Sequence, residues 1–192
     1  MWRITDDFWD KWELLYDMFS RAEKWCTHTG AGHWPDADML PVGAIRQVYD
    51  KDAWTNFTEE EQMTMMSLWG IFRSPLMIGG EMTKFDKFTM DLLTNEAILK
   101  MHRNARHAHQ VWRKQVDGIE HIVWTAVDCE GGQYVAVFNV GEEDSAIKVN
   151  LAELEIYDDV KGVELWSGES VEASEVLSVA VKSHGAKVFF FQ

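Results

Sequence analysis

Five aspartates close to tryptophans are the residues of this chain best suited to chemistry. Asp6, Asp7 and Asp10 fall within Met1-Trp2-Arg3-Ile4-Thr5-Asp6-Asp7-Phe8-Trp9-Asp10, and Asp36 and Asp38 follow Trp34. Carboxylates at the carboxyl ends of parallel strands face one mouth, where barrel enzymes place their chemistry. A pair of them beside indole rings suits glycoside hydrolysis, in which one acid protonates the leaving oxygen and polar neighbours grip sugar hydroxyls. The plain alternative is that Asp6 or Asp7 caps a helix, since aspartate is a preferred N-cap residue. On spacing alone, capping is favoured.

The other constellations are weaker. Asp36-Ala37-Asp38 lacks the glycine and glutamate that a calcium loop needs. Cys26, His28 and His33 match no standard zinc spacing, and Gly30 and Gly32 form a lone G-x-G without a third glycine. Met63, Met65 and Met66 read as core, and Asn56-Phe57-Thr58 fits a glycosylation sequon whose threonine already serves a helix start. The net charge of −14 argues against nucleic acid and anionic membranes as partners, because phosphates repel a negative field. No apolar run approaches the roughly 20 residues of a membrane span. The segment Met1–Trp12 has no secretory-signal pattern, and two cysteines are too few for a disulfide scaffold. Ten tryptophans in 192 residues are unusual, and they suit both heavy cores and surfaces on which sugar rings stack.

The elements that must position the aspartates follow from periodicity. Phe8, Trp9, Trp12, Leu15, Tyr16, Phe19 and Ala22 recur at helical spacing, predicting a helix from Phe8 to about Lys24. Pro35 confines any strand over His33–Leu40 to a few residues. Thr58 with Glu61 forms a capping box that starts a second helix, which Pro75 stops. Leu76-Met77-Ile78 reads as a short buried strand, and Phe85–Met101 as two short helices. Beyond Arg103–Gln110, a polar stretch read as a linker, the period changes to strict alternation. Ile122–Val127, Tyr134–Val140, Ile147–Leu151, Leu177–Val181 and Val188–Phe191 predict short antiparallel strands. The expected division is a helix-and-parallel-strand unit over residues 1–104 and a β-sandwich over 108–192. Two and a half helix–strand units cannot close an eight-stranded barrel of about 250 residues.

The ordered motifs resemble those of glycoside hydrolase family 27, the α-galactosidase family. They are Met1–Trp12, Gly32-His33-Trp34-Pro35-Asp36-Ala37-Asp38-Met39-Leu40, Gln62–Trp69, Phe72–Met77 and Leu92–Asn95. The resemblance implies the C-terminal part of a (β/α)8 barrel followed by an antiparallel β-sandwich. It also implies a retaining, exo-acting enzyme that removes terminal α-linked galactose without metal or organic cofactor. It assigns the general acid/base to Asp7 rather than Asp6, and substrate hydroxyls to Arg3 and Asp38, with Asp36 and Met39 lining the same region. The family's nucleophile is an aspartate preceded by a lysine on an earlier strand, and no such residue precedes Asp7. The expectation is therefore an enzyme portion whose partner is the N-terminal half of the barrel, with Met1 an internal methionine. The chain also has Pro-Asp-Ala-Asp where the family commonly has Asn-Asp-Pro-Asp. A non-catalytic carbohydrate-binding protein, using the tryptophan-rich face and the sandwich, is the rival from another class. A purely structural remnant is a third.

Overall fold

A computed structural model describes residues 1–192. Its first half carries two short parallel strands, β1 (Trp2–Arg3) and β2 (Pro35–Asp36), with Trp2 opposite Pro35 and Arg3 opposite Asp36. Between them runs the helix α1 (Trp12–Trp25). A third parallel contact joins Leu40 to Ile78 on either side of the helix α2 (Glu59–Phe72). This alternation is part of a (β/α)8 barrel.

The start of α1 departs from the sequence reading. The helix begins at Trp12 with Lys11 at its N-cap, so neither Asp6 nor Asp7 caps it. Phe8 turns inward instead, buried against Phe57 and Trp69. α2 starts as expected: Thr58 Oγ1 accepts from Glu61 N–H, and Glu61 Oε2 accepts from Thr58 N–H. It ends at Arg73, whose φ of 66° is a left-handed cap. The run from Glu61 to Phe72 is buried except Met63, so α2 lies inside the molecule and not on its rim. Met77 and Ile78, expected to be buried, are exposed. Two helices follow, α3 (Lys87–Thr94) and α4 (Glu96–Asn104), capped by Asp86 and Asn95.

The second half is a β-sandwich. One sheet has six strands in the order β3 (Ala105–Val116), β4 (Ile119–Asp128), β5 (Gln133–Asn139), β10 (Ala186–Phe191), β7 (Val160–Glu164) and β8 (Ser170–Ala173). The other pairs β6 (Ser145–Asn150) with β9 (Val176–Val181). β3 overturns the linker reading of Arg103–Gln110, because α4 passes directly into this twelve-residue strand.

The six-stranded sheet buries both faces. One face presents Val123, Val135, Val137, Phe189 and Phe191 to Ile147, Val149, Leu177 and Val179 of the small sheet. The other presents Ile122, Trp124, Tyr134, Phe138 and Val188 to a core shared with Phe19, Met66, Trp69 and Phe72 of α1 and α2. Polar bonds cross the same seam: Trp166 Nε1 donates to Ser67 Oγ at 3.0 Å, Thr64 Oγ1 to the His184 carbonyl at 2.6 Å, and Asn95 Nδ2 to the Leu165 carbonyl at 3.2 Å. The barrel helices and the sandwich thus share one hydrophobic core.

Candidate active site

β1 and β2 place their following loops side by side. Beyond β1, Ile4 N–H donates to the Asp36 carbonyl at 3.0 Å, which fixes the register of the chain entering Asp6 and Asp7. Beyond β2, Asp38 takes a φ of 78°. Aspartate tolerates this left-handed conformation better than most residues. Four bonds hold it there. Its N–H donates to Asp36 Oδ1 at 2.8 Å, its carbonyl accepts from Trp69 Nε1 at 3.2 Å, and its Oδ2 accepts from Phe8 N–H and Arg3 Nη2, both at 2.7 Å.

Arg3 links this anchored carboxylate to an exposed one. The same Nη2 lies 3.3 Å from Asp7 Oδ1. The Asp7 side chain is 87% exposed, whereas that of Asp38 is 13% exposed. A carboxylate tethered by one long bond on an open face can approach a leaving group. One held by a backbone amide and a guanidinium serves as a fixed acceptor. Asp38 Oδ1 takes no bond from the protein and remains open to a hydroxyl.

The remaining aspartates separate by role. Asp36 is buried and uses Oδ1 to shape the Asp38 turn, and the neighbouring Ala37 N–H donates to Ser74 Oγ at 3.0 Å. Asp10 leaves the cluster altogether. Its Oδ1 accepts from Arg46 Nη1 and its Oδ2 from Asn56 N–H, both at 2.6 Å, clamping the loop 46–57 to the β1–α1 connection. Asp6 contributes its carbonyl to Arg3, at 3.3 Å. Met39 lies beside the Leu40–Ile78 contact, where a Cβ on Gly79 would fall 2.6 Å from its Sδ. Ser74 and Trp69, which position Ala37 and Asp38, lie within the motifs Phe72–Met77 and Gln62–Trp69, but nothing in the sequence assigns them that role. No group of three or more His, Cys, Asp or Glu side chains is arranged to hold a metal ion.

Comparison with known proteins places this geometry among carbohydrate-active enzymes. A family described as alpha galactosidase A matches residues 1–104, and one described as the alpha galactosidase C-terminal beta sandwich domain matches residues 106–191. A glycoside hydrolase family 27 β-L-arabinopyranosidase from Geobacillus stearothermophilus is 47% identical, with a TM-score of 0.92, over 100% of this chain and 44% of its own. Alpha-galactosidase 2 of Arabidopsis thaliana is 26% identical over 191 residues, 98% of this chain and 45% of that protein. α-Galactosidase I of Mortierella vinacea shares the fold, with a TM-score of 0.84 at 17% identity, over 100% of this chain and 52% of its own. The chain therefore spans about half the length of these three relatives.

Proposed function

The chain belongs to glycoside hydrolase family 27, the α-galactosidase family, and from that premise we propose that it is the acid/base-bearing part of a retaining exo-glycosidase acting on terminal α-linked galactose. The observation that carries this reading is the contrast between exposed Asp7 and anchored Asp38 on one arginine. In the first step a carboxylate attacks the anomeric carbon while Asp7 gives its proton to the departing glycosidic oxygen. In the second, the Asp7 carboxylate takes a proton from water, whose oxygen replaces the enzyme carboxylate at that carbon. Arg3 and Asp38 hold sugar hydroxyls, with Asp36 shaping the turn and Met39 beside it.

Retention requires two carboxyl groups about 5–5.5 Å apart across the anomeric centre. Asp38 is ill suited to attack, because its Oδ2 is occupied by an amide and a guanidinium. The nucleophile in this reading is supplied by residues outside the present chain, and the partner is the remainder of the barrel.

The 47% identity to a β-L-arabinopyranosidase favours a second reading of the sugar. β-L-Arabinopyranose presents its ring hydroxyls as α-D-galactopyranose does and lacks only the hydroxymethyl group. A pocket distinguishes groups of that size by roughly 10–200-fold.

The test is to reassemble the barrel with the N-terminal half of a family member and assay aryl and alkyl galactosides and arabinopyranosides. Asp7→Asn should abolish most turnover of alkyl glycosides, whose leaving groups need a proton, and spare activated aryl glycosides. Equal losses on both, or a larger loss from Asp6→Asn, would show that another carboxylate is the acid. Sugar binding without turnover in any reassembled form would support the non-catalytic reading.

A further inference from the structure

α1, the β3–β4 turn and the β5–β6 turn border an open cavity of about 520 Å³ whose walls include Trp12, Glu13, Tyr16, Asp117, Glu120 and Glu142. No step proposed above uses it. Its aromatic walls are held in fixed orientations. The Trp12 ring stacks on His184 at 3.7 Å with 9° between planes, and His184 Nδ1 lies 2.8 Å from Glu61 Oε1. Tyr16 Oη donates to Glu120 Oε2 at 2.8 Å. The Arg113 guanidinium donates to that same oxygen at 2.7 Å while lying 4.7 Å above the Tyr16 ring. Glu120 Oε1 is left without a partner in the protein. The Val140 N–H donates to the Glu120 carbonyl at 3.0 Å, tying the two turns together.

We propose that this cavity is a second carbohydrate-binding site, taking a neutral pyranose unit of a glycan chain. Such a sugar offers an apolar C–H face to the Tyr16 and Trp12 rings and hydroxyl donors to the carboxylates, so it uses both chemistries of the walls. The acidic rim by itself would point to a cation. Glu13, Asp117 and Glu142 are solvent-exposed, however, and a unit charge at 4 Å gains only about 1 kcal/mol in water. Trp12 follows Asp7 by five residues, which limits their Cα separation to about 18 Å. A glycan seated here therefore stays close to the catalytic face. The identity of the ligand as a sugar rests on the glycosidase reading; the built cavity does not.

The test is isothermal titration of the 192-residue chain with a galactomannan oligosaccharide, with spermidine as the cationic probe. Saturable binding of the oligosaccharide is expected. Tyr16→Ala should weaken it at least about tenfold, and Glu13→Gln, at an exposed helical position, by about threefold, while Asp7→Asn leaves it within about twofold. Three outcomes overturn the proposal: no binding, weakening by Asp7→Asn without weakening by Tyr16→Ala and Glu13→Gln, or binding of spermidine alone. The readout is binding, so failure of turnover in a reassembled enzyme would sink the catalytic reading and leave this result standing.

Discussion

Arg3 Nη2 reaches Asp38 Oδ2 at 2.7 Å, so a residue of the first strand locks the side chain of an aspartate held in the left-handed region after the second. The carboxylate bonds and the unusual backbone conformation make separate contributions to stability, and two substitutions distinguish them.

Asp38→Ala and Asp38→Gly both remove the acceptor for Phe8 N–H and Arg3. Only alanine keeps a Cβ at φ 78°. Asp38→Ala should therefore be the less stable of the two by about 1 kcal/mol, read as a lower urea midpoint at unchanged slope. Equal midpoints would show that the left-handed turn carries no strain.

The two cysteines should differ in reactivity. Burial pushes the Cys26 thiol up, with the Glu23 charge adding to it, and Sγ donates to the Glu23 carbonyl at 3.1 Å. Cys129 is exposed. Because the thiolate is the nucleophile, a chromogenic disulfide reagent should label Cys129 rapidly in native protein and Cys26 only after unfolding. Matched rates would mean that the α1 end opens readily.

Much of this was legible in the sequence, and the gaps have physical causes. The Thr58–Glu61 capping box and the strands from Ile122 onward are local patterns, so periodicity finds them. β3 escaped because an edge strand rich in Arg, His and Lys reads as solvated coil, although charge is how edges avoid aggregation. The pair Asp117-Gly118, both at positive φ, was the available hairpin signal. Spacing could not separate Asp7 from Asp10, because the partner that withdraws Asp10 into a clamp is Arg46, 36 residues away. Nor could it show that Asp38 and Asp7 share a guanidinium.

Stability should fall on acidification in two windows. Burial lowers the His102 imidazole first, Arg73 and Arg103 lower it further, and the bond to the Ser74 carbonyl only partly opposes them; burial alone lowers His121. With folded pKa values depressed, the unfolded chain takes protons first. Stability is full above about pH 6.5 and declines below it. His102→Gln should flatten the urea midpoint between about pH 7.5 and 5.5 relative to wild type. An unchanged slope would place the effect elsewhere.

The second window belongs to Asp128. Burial raises its carboxyl, but hydrogen bonds from the Tyr134 hydroxyl, Glu130 N–H and Asn104 more than reverse this, leaving it below the ordinary range. Its contribution is present above about pH 3.9 and lost as pH falls through the folded value. Tyr134→Phe should cost about 1–2 kcal/mol at neutral pH and reduce the acid sensitivity below about pH 4. Retention of full acid sensitivity would exclude the Tyr134–Asp128 bond as its source.

The sandwich should depend on the barrel helices for its stability, because the six-stranded sheet turns Ile122, Trp124, Tyr134, Phe138 and Val188 towards α1 and α2. Phe138 meets Phe19 edge-on at 4.9 Å, and Trp124 meets Phe72 at 6.4 Å. Each such aromatic buries about 150–250 Å², so stripping the helices away uncovers a patch far larger than a soluble monomer ordinarily shows. Residues 105–192 expressed alone should bind a hydrophobic dye and self-associate. The intact chain, in contrast, should resist proteolysis at Arg103–Gln110, where Ala105 and Ala108 are buried. A monodisperse, dye-free, cooperatively unfolding 105–192 would show that the sandwich is an independent domain and reduce the shared core to a docking contact.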